Sequence, residues 1–152
     1  MTQRFEAARA RRSRAVLHDD TPLRRDLLHV PVGEPRPGVR VLSPAGEVDL
    51  CTAPLLRDAA FAAVAAGPRH LVVDLCGVTF CGSTGLVVLM DARRHAQAHG
   101  VGFRTAGATR CVRRVLEITG LGPVLAHGDT LDVVLGELAL ADRPAGSTGR
   151  SS

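Results

Sequence analysis

The chain contains no Trp, no Tyr and no Lys, and only four Phe among 152 residues. With so little aromatic surface, the interior has to be built from Val, Leu and Ala, and an aromatic platform for single-stranded nucleic acid is excluded. Without Lys there is no phosphate-loop lysine, no Schiff-base lysine and no kinase-type lysine. Coding bias in a GC-rich genome accounts for the exclusive use of Arg. No apolar run reaches membrane-spanning length. The first residues lack the apolar segment of a secretory signal, so a cytoplasmic protein with no membrane contact is expected. The four Cys, at positions 51, 76, 81 and 111, form no C-x-x-C pair and have apolar or small neighbours. They are expected to be reduced, buried thiols, and no metal centre is expected.

Apolar residues make up 45% of the sequence, enough for one domain with a sizeable core. The formal charge of +4 is unevenly spread. Residues 1–40 hold nine Arg against five acids, and the rest is close to neutral. The basicity therefore belongs to the N-terminal arm, and no direct contact with nucleic acid is implied. Residues 1–25 read as a flexible Arg-rich arm. Residues 27–140 carry the fold, and residues 141–152 read as a disordered tail rich in Pro, Gly, Ser and Arg.

Between these, residues 27–32 suggest a strand that Pro31 confines to an edge, and residues 33–38 a loop. Residues 39–48 alternate as a strand, with Pro44 at a bulge or at its end. Thr52 or Asp49 caps a helix with Pro54 in its first turn, and Gly67-Pro68 stops it. Residues 70–75 form an apolar, β-branched central strand covered on both faces. A helix from about Ser83 to His99 follows, then a strand at 101–106. Thr109 opens a short helix that Gly120 closes. A last strand is expected at 123–126, and a terminal helix capped by Asp129 or Thr130. Strands alternating with helices imply an α/β fold with a mainly parallel sheet.

The chain is organised around residues 78–90: the apolar strand at 70–75 runs up to this stretch, which passes through a small turn into an apolar-faced helix. Ser83 and Thr84 fall where the first N–H groups of that helix lack intrahelical partners. A hydroxyl there caps the helix, or accepts a phosphoryl group at an end that tolerates negative charge. A hydrolase elbow is a poor match, because Gly82 directly precedes Ser83 and only the distant His127 and Asp129 offer a base and an acid. His95 and His99 share a helix face but lack a third ligand, and read as solvated. Asp74 either serves a site or caps its turn. Glu47 and Asp49 lie at the carboxyl end of a strand, where acids line sites or cap helices. No cofactor is implied, and no catalytic residue is assigned.

The strings Gly46-Glu47-Val48-Asp49, Thr52-Ala53-Pro54-Leu55, Val72-Val73-Asp74-Leu75, Val78-Thr79-Phe80, Ser83-Thr84-Gly85-Leu86 and Val112-Arg113-Arg114-Val115-Leu116-Glu117, in this order, resemble the STAS domain. The nearest likeness is to bacterial anti-sigma factor antagonists. The resemblance implies a single STAS-like domain, a small mixed, mainly parallel sheet with helices packed on one side. It implies a cytoplasmic regulator, not an enzyme, whose partner is an anti-sigma factor that is also a serine kinase of the GHKL type. Binding that partner frees a sigma factor, and phosphorylation reverses the binding. By position the acceptor is Thr84, with Ser83 beside it, and the partner-binding set is Asp49, Glu47, Gly82, Ser83, Thr84 and Gly85. The family motif has Asp where this chain has Gly82, which keeps a second reading open: a non-phosphorylated scaffold or sensor, stressosome-like or accessory to transport. Weak self-association is left open.

Overall fold

The structure is a computed structural model, described here for residues 28–143. The expected arm over 1–25 lies outside the described residues; of the expected tail over 141–152, Ala141 ends the last helix and Asp142 caps it, and 144–152 lie outside the described residues. Eight strands and five helices follow in the order β1 (Leu28–His29), β2 (Val32–Arg36), β3 (Val39–Leu42), β4 (Ala45–Val48), α1 (Ala53–Ala65), β5 (His70–Asp74), β6 (Val78–Cys81), α2 (Ser83–Ala98), β7 (Gly102–Ala106), α3 (Arg110–Thr119), α4 (Leu121–Val124), β8 (His127–Gly128) and α5 (Leu131–Ala141). A five-stranded sheet has the order β2-β3-β5-β7-β8, and a three-stranded sheet the order β1-β4-β6. The β1–β4 and β2–β3 pairs are antiparallel, while β3–β5, β5–β7, β7–β8 and β4–β6 are parallel. The mixed, mainly parallel α/β architecture stands.

Two prolines divide what reads as continuous extended chain. Pro31 separates β1 from β2, and Pro44 separates β3 from β4, and each pair is split between the two sheets. A residue without a donor N–H cannot continue a ladder, so the chain changes sheet there. Residues 33–36, expected as a loop, instead complete β2. As an edge strand, β2 carries Pro35 on its exposed side, across a register shift between Gly33 and Arg36.

Two further elements differ from expectation. Residues 78–81 form β6, which pairs in parallel with β4; its pattern of buried ends and exposed middle does not alternate. Residues 121–124 form α4, and the last strand is β8, two residues long. Ala126 links them in the left-handed region at φ 50°, its carbonyl accepting from Arg104 Nε at 2.8 Å.

Alternation along β5 splits the core between two faces. Leu71 and Val73 join a large cluster with Leu56, Ala60 and Val64 of α1, Leu86, Leu89 and Ala92 of α2, and Val112 and Leu116 of α3. Val72 points the other way, where Val39, Val41 and Ala106 meet Val134 and Leu138 of α5. The central strand is thus covered on both faces as expected. Helices α1, α2 and α3 cover one side, and α5 departs from that arrangement by covering the other.

Candidate functional site

The parallel pairing of β4 with β6, Glu47 opposite Phe80 and Val48 opposite Cys81, brings their carboxyl ends out side by side. The β4–α1 loop and the start of α2 therefore share one corner. Gly82 N donates to Val48 O at 3.0 Å and ties the two together.

The β4–α1 loop is held from within. Thr52 is fully buried, accepts from Asp49 N at 2.9 Å and donates to Glu47 O at 2.7 Å. Asp49 Oδ1 accepts from Cys51 N at 2.9 Å and Thr52 N at 3.1 Å. Of the two expected caps, Thr52 occupies the N-cap position without a side-chain capping bond, while Asp49 takes the N–H groups of the turn before α1. The loop turns Leu50 outward, 76% exposed.

Gly82 is the N-cap residue of α2 and supplies no side-chain cap. Ser83 and Thr84 are the first two helical residues, so the expectation that a hydroxyl caps this helix is corrected. A capping oxygen must precede the helix in extended backbone, and both hydroxyls lie one or two residues too late. Among the described residues neither hydroxyl makes a hydrogen bond. Ser83 is exposed and Thr84 half-buried. Gly85 is buried for a steric reason: a Cβ there would lie 2.7 Å from both Cys81 Sγ and Val48 Cγ1. The missing side chain lets the first turn of α2 sit directly on β4 and β6.

Three exposed apolar side chains flank the hydroxyls and were not singled out by the sequence. Leu50 is joined by Phe80, 47% exposed, whose ring edge lies 3.4 Å from where a Gly82 Cβ would be. Val87, 55% exposed, is three residues beyond Thr84 and four beyond Ser83, on the same helix face. The available signal was Val87 itself, an apolar residue off the buried stripe of α2. Phe80 gave none, because β6 was not expected as a strand.

The other candidates are structural. Asp74 caps its own turn, accepting from Cys76 N at 3.1 Å. The Asp74 carboxylate also accepts from the Cys76 thiol at 3.5 Å, which raises that thiol's pKa. His127 does not approach a triad: its Nδ1 lies 2.8 Å from Thr105 Oγ1, and desolvation lowers its pKa. The Cys are all free, but Cys76 and Cys111 are exposed, correcting the expectation of buried thiols. Cys76 occupies the turn after β5, and Cys111 lies on the solvent side of α3. Cys81 is buried, and burial first, then proximity to Cys111, pushes its thiol up to about 11. Among the described residues no group of three or more His, Cys, Asp or Glu is placed to hold a metal ion, and no helix is long and apolar enough to cross a membrane.

The corner of two strand ends and a helix N-terminus lies within residues 34–142, which match the family model for the Mlab, STAS domain. The chain belongs to the STAS-domain family. This STAS protein is similar to the anti-sigma-F factor antagonist RsfB of Mycobacterium tuberculosis, 40% identical over 94 residues that cover 62% of this chain and 76% of RsfB. It is also 30% identical to the anti-sigma-F factor antagonist RsfA of the same organism over 97 residues, again 62% and 76%. Among solved structures, an anti-sigma factor antagonist from Mycobacterium paratuberculosis superposes with a TM-score of 0.67 at 35% identity, covering 72% of this chain and 92% of that one. SpoIIAA in its unphosphorylated form superposes with a TM-score of 0.62 at 18% identity, covering 73% and 96%. That last likeness concerns the STAS fold alone.

Proposed function

We propose that this STAS protein is an anti-sigma factor antagonist, a non-catalytic module that binds an anti-sigma factor and so frees a sigma factor. Its binding surface is the corner built by Glu47, Asp49, Leu50, Phe80, Gly82, Ser83, Thr84 and Val87, with Gly85 seating the helix beneath. The observation that carries this reading is the apolar trio Leu50, Phe80 and Val87 around two exposed or half-exposed hydroxyls. The names of RsfB, RsfA and the Mycobacterium paratuberculosis structure support the same reading.

The switch is phosphorylation by the partner, a GHKL-type serine kinase, at Thr84 or at the neighbouring Ser83. A phosphate adds about −1.5 to −2 charges. At a helix N-terminus the backbone dipole tolerates that charge, so the fold survives. A partner packed on the apolar trio would have to desolvate the new charge, which is costly. Binding is then lost by surface repulsion, without refolding.

Incubation with the anti-sigma kinase and ATP, followed by mass mapping, tests the switch. Modification at Thr84 or Ser83 is the expected result. Gly82, which removes the motif carboxylate from beside the hydroxyls, favours one alternative: a STAS scaffold or sensor that is never phosphorylated. Binding of the anti-sigma factor without any transfer of phosphate would select that alternative.

A further inference from the structure

The far end of α2 carries a feature unrelated to the docking corner. His95 and His99, one turn apart, were expected to be merely solvated. Instead the His95 ring lies flat on Phe61 of α1, centroids 3.9 Å apart and planes 2° from parallel. The His99 ring stands 4.4 Å from the His95 ring, tilted by 43°. His99 Nδ1 lies 2.9 Å from His95 O. A carbonyl can only accept, so Nδ1 carries the hydrogen and the Nε2 lone pair of a neutral His99 is left available.

We propose that His95 and His99 chelate a divalent first-row transition ion, copper(II) most tightly. The spacing suits such an ion. With a metal–nitrogen bond of about 2.0–2.1 Å, two imidazoles in adjacent coordination positions have ring centres about 4.5–5.2 Å apart. The observed separation of 4.4 Å lies at the lower edge of that range. Both rings are pre-set, His95 by its stack on Phe61 and His99 by the bond from Nδ1 to a backbone carbonyl, the usual outer support of a metal-binding imidazole. His95 is half-buried and His99 exposed, so water completes the coordination. Two neutral imidazole nitrogens suit copper(II) and nickel(II) and not magnesium, which takes oxygen ligands. His95 lies about 16 Å along the helix from Thr84 and His99 about one turn further, well apart from the docking corner.

Titration calorimetry of the full chain with copper(II), nickel(II) and magnesium chlorides tests the assignment. Paramagnetic broadening of the histidine ring resonances by copper(II) then locates the ion. One-to-one binding is expected, tightest for copper(II), weaker for nickel(II) and absent for magnesium. Acidification should weaken it, since protons compete for the same nitrogens. His99→Gln should lower the affinity at least about tenfold by breaking the chelate, and so should His95→Phe, which keeps an aromatic ring on Phe61. The proposal is overturned if copper(II) gives no one-to-one event. It is equally overturned if either variant binds at wild-type strength, or if broadening centres on other histidines.

Discussion

At Gly85 one hydrogen decides how the docking corner is built. A methyl group there has nowhere to go between Cys81 Sγ and Val48 Cγ1. Gly85→Ala should destabilise the protein by about 1–3 kcal/mol, read as a lower denaturant midpoint at unchanged slope. Gly82 is a different case. Its backbone, at φ −83° and ψ −176°, is open to any residue, and a Cβ would make only ordinary contact with the Phe80 ring. Gly82→Asp would supply the side-chain cap that α2 lacks and place a negative charge at its N-terminus. It should raise stability by about 0.5–1 kcal/mol in urea melts. An unchanged or lower midpoint would contradict the assignment of Gly82 as a permissive N-cap. The two glycines of one short motif thus serve different ends, and only Gly85 is required by packing.

The second layer of the fold rests on α5. Its C-cap residue, Asp142, accepts from His70 Nε2 at 3.0 Å and faces Arg36 at 3.4 Å and Arg69 at 3.6 Å. An acid at a helix C-terminus opposes the dipole, and two arginines, from β2 and the α1–β5 turn, together with the hydrogen bond from His70 of β5, offset it. The hydrogen bond from His70 is the main reason the Asp142 carboxyl titrates below its ordinary value of 3.8. A depressed carboxylate contributes stability that is present above its ordinary value and lost as pH falls through the lowered one. Half-buried His127, with its pKa lowered by desolvation from 6.5, acts in the same direction at milder acidity. Thermal melts between pH 7 and pH 3 should therefore show falling stability, and Asp142→Asn should flatten the most acidic part of the curve. Leu138→Ala, on the same helix, should cost about 2–3 kcal/mol by opening the contact with Val39, Val41 and Val72. Elements of this length were legible in the sequence where periodicity was long. α1, α2, α3 and α5 followed from apolar spacing, and β5 from its β-branched run. Short pieces were not. β6 and β8 have too few residues to alternate, and α4 forms around Pro123, whose neighbours resembled a strand. The partition of β1 from β2 and of β3 from β4 into different sheets is a tertiary outcome that prolines mark but do not specify.

At the scale of the molecule, the sequence placed Glu47, Asp49, Ser83 and Thr84 in separate segments, and the β4–β6 pairing brings those segments together at one corner. The hydroxyls were visible in the sequence as a motif. The apolar trio around them was not, because exposure of Leu50, Phe80 and Val87 depends on which side each strand end and helix turn presents. In the proposed reading that trio supplies the apolar contact of the binding surface, and the hydroxyls supply its switch. Phe80→Ser and Val87→Ser, which remove exposed apolar area without touching the core, should weaken partner binding while leaving the melting temperature nearly unchanged. The most direct measurement compares the affinity of the anti-sigma factor for unmodified protein, for Thr84→Ala and for protein carrying phosphate at Thr84. The account predicts near-equal binding of the first two and a loss of about a hundredfold or more for the third, as expected when an unpaired charge must be buried. Equal affinity of all three, with the fold intact, would contradict it.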